Sequence, residues 1–183
     1  MSSFLIIKGG QVKKIVLAVM TILMSSQVLA IPQQLSVVGL IPDVSTEADV
    51  EQSNYGFGKY INEIGGYQMF CIPSYIDAKL ARLYCNFGKS SINTSSNEII
   101  YGTLKQGFTK KFGVPKVAND KVRNGYGTEF NLQSIVWNDQ KGNRLTVYNR
   151  LSKVDEGVLL LESASQLKAE KEVSKLIDAS RKF

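Results

Sequence analysis

The chain contains no histidine, and this absence excludes more chemistry than any other feature of its composition. Ser-His-Asp and Cys-His nucleophile systems, imidazole general bases and His-ligated zinc all require a residue it does not have. Cysteine is scarce as well: only Cys71 and Cys85 occur in 183 residues. If they bridge each other, no thiol remains for a metal or a redox step. The apolar run from Ile15 to Met24 is about ten residues, half of the roughly twenty needed to span a bilayer. Gly56-Phe-Gly58-Lys-Tyr-Ile61 opens like a dinucleotide loop but lacks the third glycine and the strand–turn–helix setting. No acidic loop has calcium-ligand spacing.

Catalysis would have to rest on paired carboxylates or a Ser-Lys dyad. Asp155-Glu156 is the only adjacent acid pair in the chain. Neighbours on a strand or turn point apart, whereas a glycosidase needs two carboxyls facing across a cleft. Ser165-Gln-Leu-Lys168 spells the Ser-x-x-Lys of penicillin-recognising enzymes. The Lys-Thr-Gly strand is missing, and Ser91-Ile-Asn93, which resembles the second element, precedes Ser165-Gln-Leu-Lys168, the reverse of the order those enzymes have. Catalytic residues, cofactor and metal are therefore all expected to be none.

What is present begins with an address. A basic lead with Lys8, Lys13 and Lys14 precedes the apolar run, and Ser25-Ser-Gln27 and Val28-Leu-Ala30 follow. This is the layout of a secretory signal peptide over 1–30, cut after Ala30. Ile31 after the cut, rather than Cys, gives no support to a lipid anchor. A periplasmic or secreted protein follows, one that does not span the membrane after cleavage, with 31–183 as a single domain.

An exported chain meets oxidising conditions, so two cysteines predict one disulfide. Two strands joined by a turn near Asp77-Ala78 place Cys71 opposite Cys85, since their numbers sum to 156, as those of facing residues do. Met69, Leu83 and Phe87 share that side, which makes it apolar. The wide Cys-x13-Cys spacing lacks the geometry that activates thiols, so the bridge is read as structural.

Residues 31–42 read as an extended leader or an edge strand. Ser45-Thr-Glu-Ala-Asp-Val50 offers an N-cap hydroxyl and first-turn acids, Glu47, Asp49 and Glu51 following the dipole of a short helix that fades by Tyr55-Gly56. Ser95-Ser-Asn-Glu98 has the form of a capping box. Ile100, Leu104, Phe108 and Phe112 then line one helix face, and Gly113 and Pro115 stop it. A polar stretch containing Gly125 and Gly127 leads to a hairpin of Phe130–Trp137 and Arg144–Arg150, and a strand over Val158–Leu161 follows. Ser163-x-x-Gln166 starts a last helix over 164–181, with Ala169, Val173, Leu176 and Ser180 on one side. The fold class is α+β: an antiparallel sheet of hairpins with helices packed on one face. Segments 45–88 and 95–150 read as half-repeats of a helix-hairpin unit.

Gly39 through Val50 and Phe108-Thr-Lys-Lys-Phe-Gly-Val-Pro115 carry a resemblance to exported modules of the SmpA/OmlA kind and to the beta-lactamase-inhibitor-like proteins that duplicate them. The likeness is one of element order. The chain departs from those families in lacking a lipidation Cys and in its own Asp77–Lys89 segment. The resemblance implies a tandem α-β-β architecture and a protein-binding, non-enzymatic role.

The formal charge is +6. Without the three leader lysines, 19 basic residues face 16 acidic ones, too mild a balance to argue for nucleic acid. Charge is nevertheless concentrated. Lys105, Lys110, Lys111, Lys116, Lys121 and Arg123 stand against Asp120 alone between 105 and 123. A helix C-terminus explains Lys110 and Lys111, and an anionic partner explains the whole stretch. Tyr60 and Tyr75, flanked by polar or turn residues, are the aromatics expected at the surface. The expected function is an exported binding module of inhibitor, immunity or assembly-accessory type, engaging an envelope or extracellular protein or an anionic envelope component. The rivals are a small carboxylate-based hydrolase of cell-wall polymer and a self-associating structural protein.

Overall fold

Cys71 and Cys85 form a disulfide between directly opposed residues of two antiparallel strands. A computed structural model describes residues 33–53, 61–87, 96–123, 129–149 and 157–181. The described residues all belong to one compact unit, Pro32–Phe183. The expected signal peptide lies outside them, as do Tyr60, Ser91, Asn93 and the Asp155-Glu156 pair.

The elements are α1 (Glu47–Gln52), β1 (Ile61–Ile64), β2 (Tyr67–Ile76), β3 (Lys79–Phe87), α2 (Asn97–Phe112), β4 (Lys116–Arg123), β5 (Glu129–Asn138), β6 (Arg144–Tyr148), β7 (Gly157–Glu162) and α3 (Ala164–Ser180). The strands make one seven-stranded sheet in the order β1-β2-β3-β7-β6-β5-β4, and every pairing is antiparallel. This is an α+β fold. A helix followed by a meander occurs twice, and the meanders join where β3 meets β7.

The cysteine hairpin contains one feature beyond its expected register. Its turn, Asp77-Ala78, has φ of 49° and 61°, the doubly positive pair of a type I′ turn. A two-residue turn makes facing residues sum to 155, as Tyr75 with Leu80 does, but the cysteines sum to 156. The difference is absorbed by a bulge between Ser74 and Tyr75, which leaves Ala81 as the extra residue. Ala81 is buried, and its carbonyl accepts from the Ser163 amide at 2.8 Å, so the bulge anchors the start of α3. Alanine tolerates φ of +61° poorly, at about 1 kcal/mol relative to glycine. Ala78→Gly is therefore expected to raise the urea midpoint by an amount equivalent to about 0.5 kcal/mol, after glycine's greater unfolded-state entropy is subtracted. A lowered midpoint would contradict the turn type.

Rows of side chains cross the sheet on the core face. One runs Cys71, Cys85, Leu159, Val147, Ile135 and Val117; the next runs Pro73, Leu83, Leu161, Leu145 and Trp137. All are buried except half-buried Pro73 and exposed Val117. Val50 of α1 and Ile100 and Leu104 of α2 close over them, with Phe108 and Phe112 at the margin. The face read from the α2 sequence is the buried one. Burying each such Leu or Ile stabilises the fold by roughly 1.5–3 kcal/mol.

Gly157 lies directly opposite Phe87, whose ring covers it. A Cβ on Gly157 would stand 2.7 Å from Phe87 Cδ2 and closer still to the ring's far edge. Phe87 is itself buried and has little room to yield. Gly157→Ala is expected to cost about 2 kcal/mol by overpacking, and Phe87→Leu in the same chain to return most of it. Thermal unfolding of the single and double variants checks both statements.

Several sequence expectations are corrected. Residues 31–42 do not supply an edge strand: in the described part, Val37 and Leu40 bridge each other around a tight turn, and Leu35, Val37 and Leu40 are buried in the core. Hydrophobicity there reflects insertion rather than sheet pairing. The first helix has the expected N-cap hydroxyl and first-turn acids, with Thr46 as the cap in a complete capping box with Asp49. The second cap is Ser96, without a side-chain cap bond, not Ser95, because Asn97 turns inward and donates to the Asn149 carbonyl. Strands β1 and β4 were not expected. On α3, Val173, Leu176 and Ile177 are exposed. The helix is held instead at its start, where Ser163 Oγ accepts from the Gln166 amide at 3.0 Å and Asn143 Oδ1 from the Ala164 amide at 3.0 Å.

Candidate binding surface

The last turn of α2 and the strand that follows it carry the basic stretch, and aromatic packing fixes the end of the helix. Gly113, with φ of +84°, takes the positive-φ position past the helix end that favours glycine. Its amide donates to the Thr109 carbonyl at 2.9 Å. Its carbonyl accepts from Trp137 Nε1 at 2.8 Å, while Phe108 meets Trp137 edge-on, with centroids 5.7 Å apart. Phe112 stacks on Phe108 at 5.8 Å. These contacts hold the helix terminus over β5, so Val114-Pro115 leads directly into β4, the neighbour of β5.

The lysines do not share one environment. Lys105 and Lys110 are exposed on α2. Lys111 is exposed as well but tethered at the surface: its Nζ donates to Ser36 Oγ at 2.9 Å and lies 4.9 Å from the Phe112 ring centroid. On β4, Lys116 and Lys121 are exposed and five residues apart, which puts them on opposite faces of the sheet. Arg123 ends the strand opposite Glu129. Cation density is therefore displayed around an edge, on both of its faces, rather than on one plane. Among the described residues, none of Lys105, Lys110, Lys116 and Lys121 is held in an ion pair. Tyr75 is not the exposed aromatic its neighbours implied: it stands two residues beyond Pro73 and four beyond Cys71 on β2, falls on the same face, and is half-buried against the core.

Of the acids read at the start of α1, Asp49 has a structural occupation. The Thr46 amide and hydroxyl both donate to Asp49 Oδ2, at 2.7 and 2.9 Å. The backbone bond, followed by the side-chain bond, holds the Asp49 carboxyl below its ordinary pKa. Burial raises the Tyr101 phenol. The Ser165 amide donates to Asp43 Oδ2 at 3.4 Å, and Lys168 is exposed on the same helix. Among the described residues, no three His, Cys, Asp or Glu side chains gather as a metal site, and no helix is long and apolar enough to cross a membrane.

One cluster had no signal in the sequence. Arg82, Glu162 and Arg144 face one another on β3, β7 and β6, on the side of the sheet away from the core. Glu162 is 1% exposed; it accepts from Arg82 Nη2 at 3.1 Å on Oε1, and from Arg144 Nε and Nη2 at 2.9 and 2.7 Å on Oε2. Arg82 also pairs with Glu170 of α3. Two guanidiniums against two carboxylates leave no net charge for a ligand, and the cluster ties α3 to the sheet.

The class these features define is a disulfide-bonded antiparallel α+β domain with a basic sheet edge. Comparison with family models, curated proteins and solved structures gave no match to this chain.

Proposed function

We propose that the chain is an exported, non-catalytic binding module of the cell envelope that engages an acidic protein through the end of α2 and β4. One observation carries the reading: Lys110, Lys116 and Lys121 stand exposed, outside ion pairs among the described residues, on a scaffold clamped by Trp137 and Phe108. Rigid presentation of like charge raises association rates with an oppositely charged partner and disfavours wrong ones. The disulfide suits an oxidising, extracytoplasmic compartment, in agreement with the leader pattern of 1–30. The resemblance in element order to SmpA/OmlA-like and beta-lactamase-inhibitor-like modules supports binding by analogy.

The test is in-cell crosslinking followed by affinity capture of the oxidised protein. One stoichiometric acidic protein is expected, reduced at least tenfold when Lys110, Lys116 and Lys121 are all changed to Glu. Lys111 is left unchanged because it serves the fold. Recovery of the chain alone would favour self-association, and capture indifferent to the three reversals would place the binding surface elsewhere.

A further inference from the structure

The two edges of the sheet are unlike. β1 has four residues, whereas β4 has eight, paired with β5 in unbroken register from Lys116 to Arg123. Exposed edges are ordinarily blunted by shortness, proline, bulges or charge. Within its span β4 has no proline and no bulge, so charge is the only device left. Among the described residues it has no second neighbour.

The orientation of its backbone follows from one hydrogen bond. The Asn149 amide donates to the Gln133 carbonyl at 3.0 Å, so Gln133 turns its main-chain groups towards the β6 side. Antiparallel ladders alternate, so Gln133 and its partner Asn119 form a non-hydrogen-bonded pair. Asn119 therefore directs its N–H and C=O away from β5, as do Val117 and Lys121, two residues to either side. The side chains from Lys116 to Asp120 and that of Lys121 are exposed on both faces, which leaves room for the alternating side chains of an added strand.

Charge selects the occupant. A second copy added antiparallel must set outward residues against outward residues, as Val117 against Lys121, and in any such register it lays a second strand of three cations and one anion beside the first, an unfavourable accumulation of like charge. A phospholipid surface could meet Lys116 or Lys121 but not both, because they lie on opposite faces. An extended acidic segment can place a carboxylate on either face and also satisfy the outward main-chain groups. We propose that the β4 edge is a strand-addition site for an extended acidic protein segment, an inference that rests on the binding role above and specifies its mode.

The probe is a synthetic eight-residue peptide of valine and threonine with two glutamates five residues apart, which fall on opposite faces of a strand as Lys116 and Lys121 do, and its control carries lysine in place of glutamate. The protein, expressed from its full sequence and purified oxidised, is followed by amide hydrogen exchange and by peptide titration. The glutamate peptide is expected to slow exchange at Val117, Asn119 and Lys121 at least tenfold, and the lysine peptide to leave them unchanged. Asn119→Pro removes an outward N–H and blocks the added strand while sparing the ladder to β5. It is expected to weaken the peptide at least tenfold with β5–β6 protection intact. Lys116→Glu with Lys121→Glu, which leaves the backbone alone, should do likewise.

Binding that leaves the three amides unprotected, or that survives Asn119→Pro, overturns strand addition while leaving a binding role in place. No binding up to about 1 mM peptide overturns it too, and the crosslinking capture then judges the binding role separately. Protection that grows with protein concentration alone would assign the edge to a second copy. Protection by phosphatidylglycerol vesicles but not by peptide would assign it to lipid. Either result rejects the proposal.

Discussion

Replacing Glu162 with alanine is expected to destabilise the protein by about 3 kcal/mol, a severe effect for a residue outside the hydrophobic core. Glu162 is 1% exposed and lies in register between Arg82 and Arg144. Without its carboxylate, two guanidiniums would face one another across β7 with nothing between them. Their side chains are 31% and 38% exposed, so water relieves part of the repulsion, and the lower end of the range for broken buried pairs applies. Arg82 retains Glu170, and Arg82 Nε is already buried without a partner among the described residues. The loss is therefore expected to fall mainly on the Arg144 side. A urea series checks it.

The sharper form of this expectation is a comparison. Glu162→Met combined with Arg144→Met removes both members of the tightest pair and substitutes apolar bulk. Buried ion pairs exchanged for well-packed apolar groups are often neutral in stability. The double variant should thus be more stable than Glu162→Ala alone. If it were the worse of the two, the triad would contribute net stability beyond compensating its own desolvation.

What the sequence revealed follows from how far apart the interacting residues lie. The Cys71–Cys85 register was legible because turn and strands are contiguous, so counting outward from Asp77-Ala78 nearly suffices. The Ala81 bulge escaped that count, because only the buried side of Leu80 and Ala81 distinguishes the two registers. The α2 face was legible because Ile100, Leu104, Phe108 and Phe112 repeat at helical spacing and are covered by the sheet. The same reasoning on α3 found a stripe, yet Val173 and Leu176 are exposed; periodicity identifies a helix and says nothing of what covers it.

Strand β4 was illegible for the opposite reason. A strand announces itself by alternation only when one face is buried, and the described side chains of β4 are exposed on both faces. Val117 inside a Pro115- and Gly125-bounded segment was the available signal. Pairing of β3 with β7, and with it the Arg82–Glu162–Arg144 cluster, joins residues 80 apart in the chain. No local pattern encodes that. The basic stretch was visible as composition, but the engagement of Lys111 with Ser36 and the division of Lys116 and Lys121 between two faces required the fold.

Removing the disulfide, by Cys71→Ala with Cys85→Ala, is expected to cost about 3 kcal/mol from the restored freedom of the unfolded chain, for a loop of sequence separation 14. A further loss from the vacated core volume adds to it. Both cysteines are fully buried, in the row with Leu159, Val147 and Ile135. A thiolate can reach the bond only after β2 and β3 open, so reduction by dithiothreitol should be slow in buffer and accelerate sharply near the urea midpoint. Rapid reduction of the folded protein, with the core intact by fluorescence of Trp137, would show local opening of the β2–β3 hairpin. A loss of about 3 kcal/mol is a large share of the 5–15 kcal/mol typical of a domain, so a reducing compartment would leave this fold marginal. The bridge therefore connects stability to address: the fold gains its full margin only where the bond can form, outside the reducing interior of the cell.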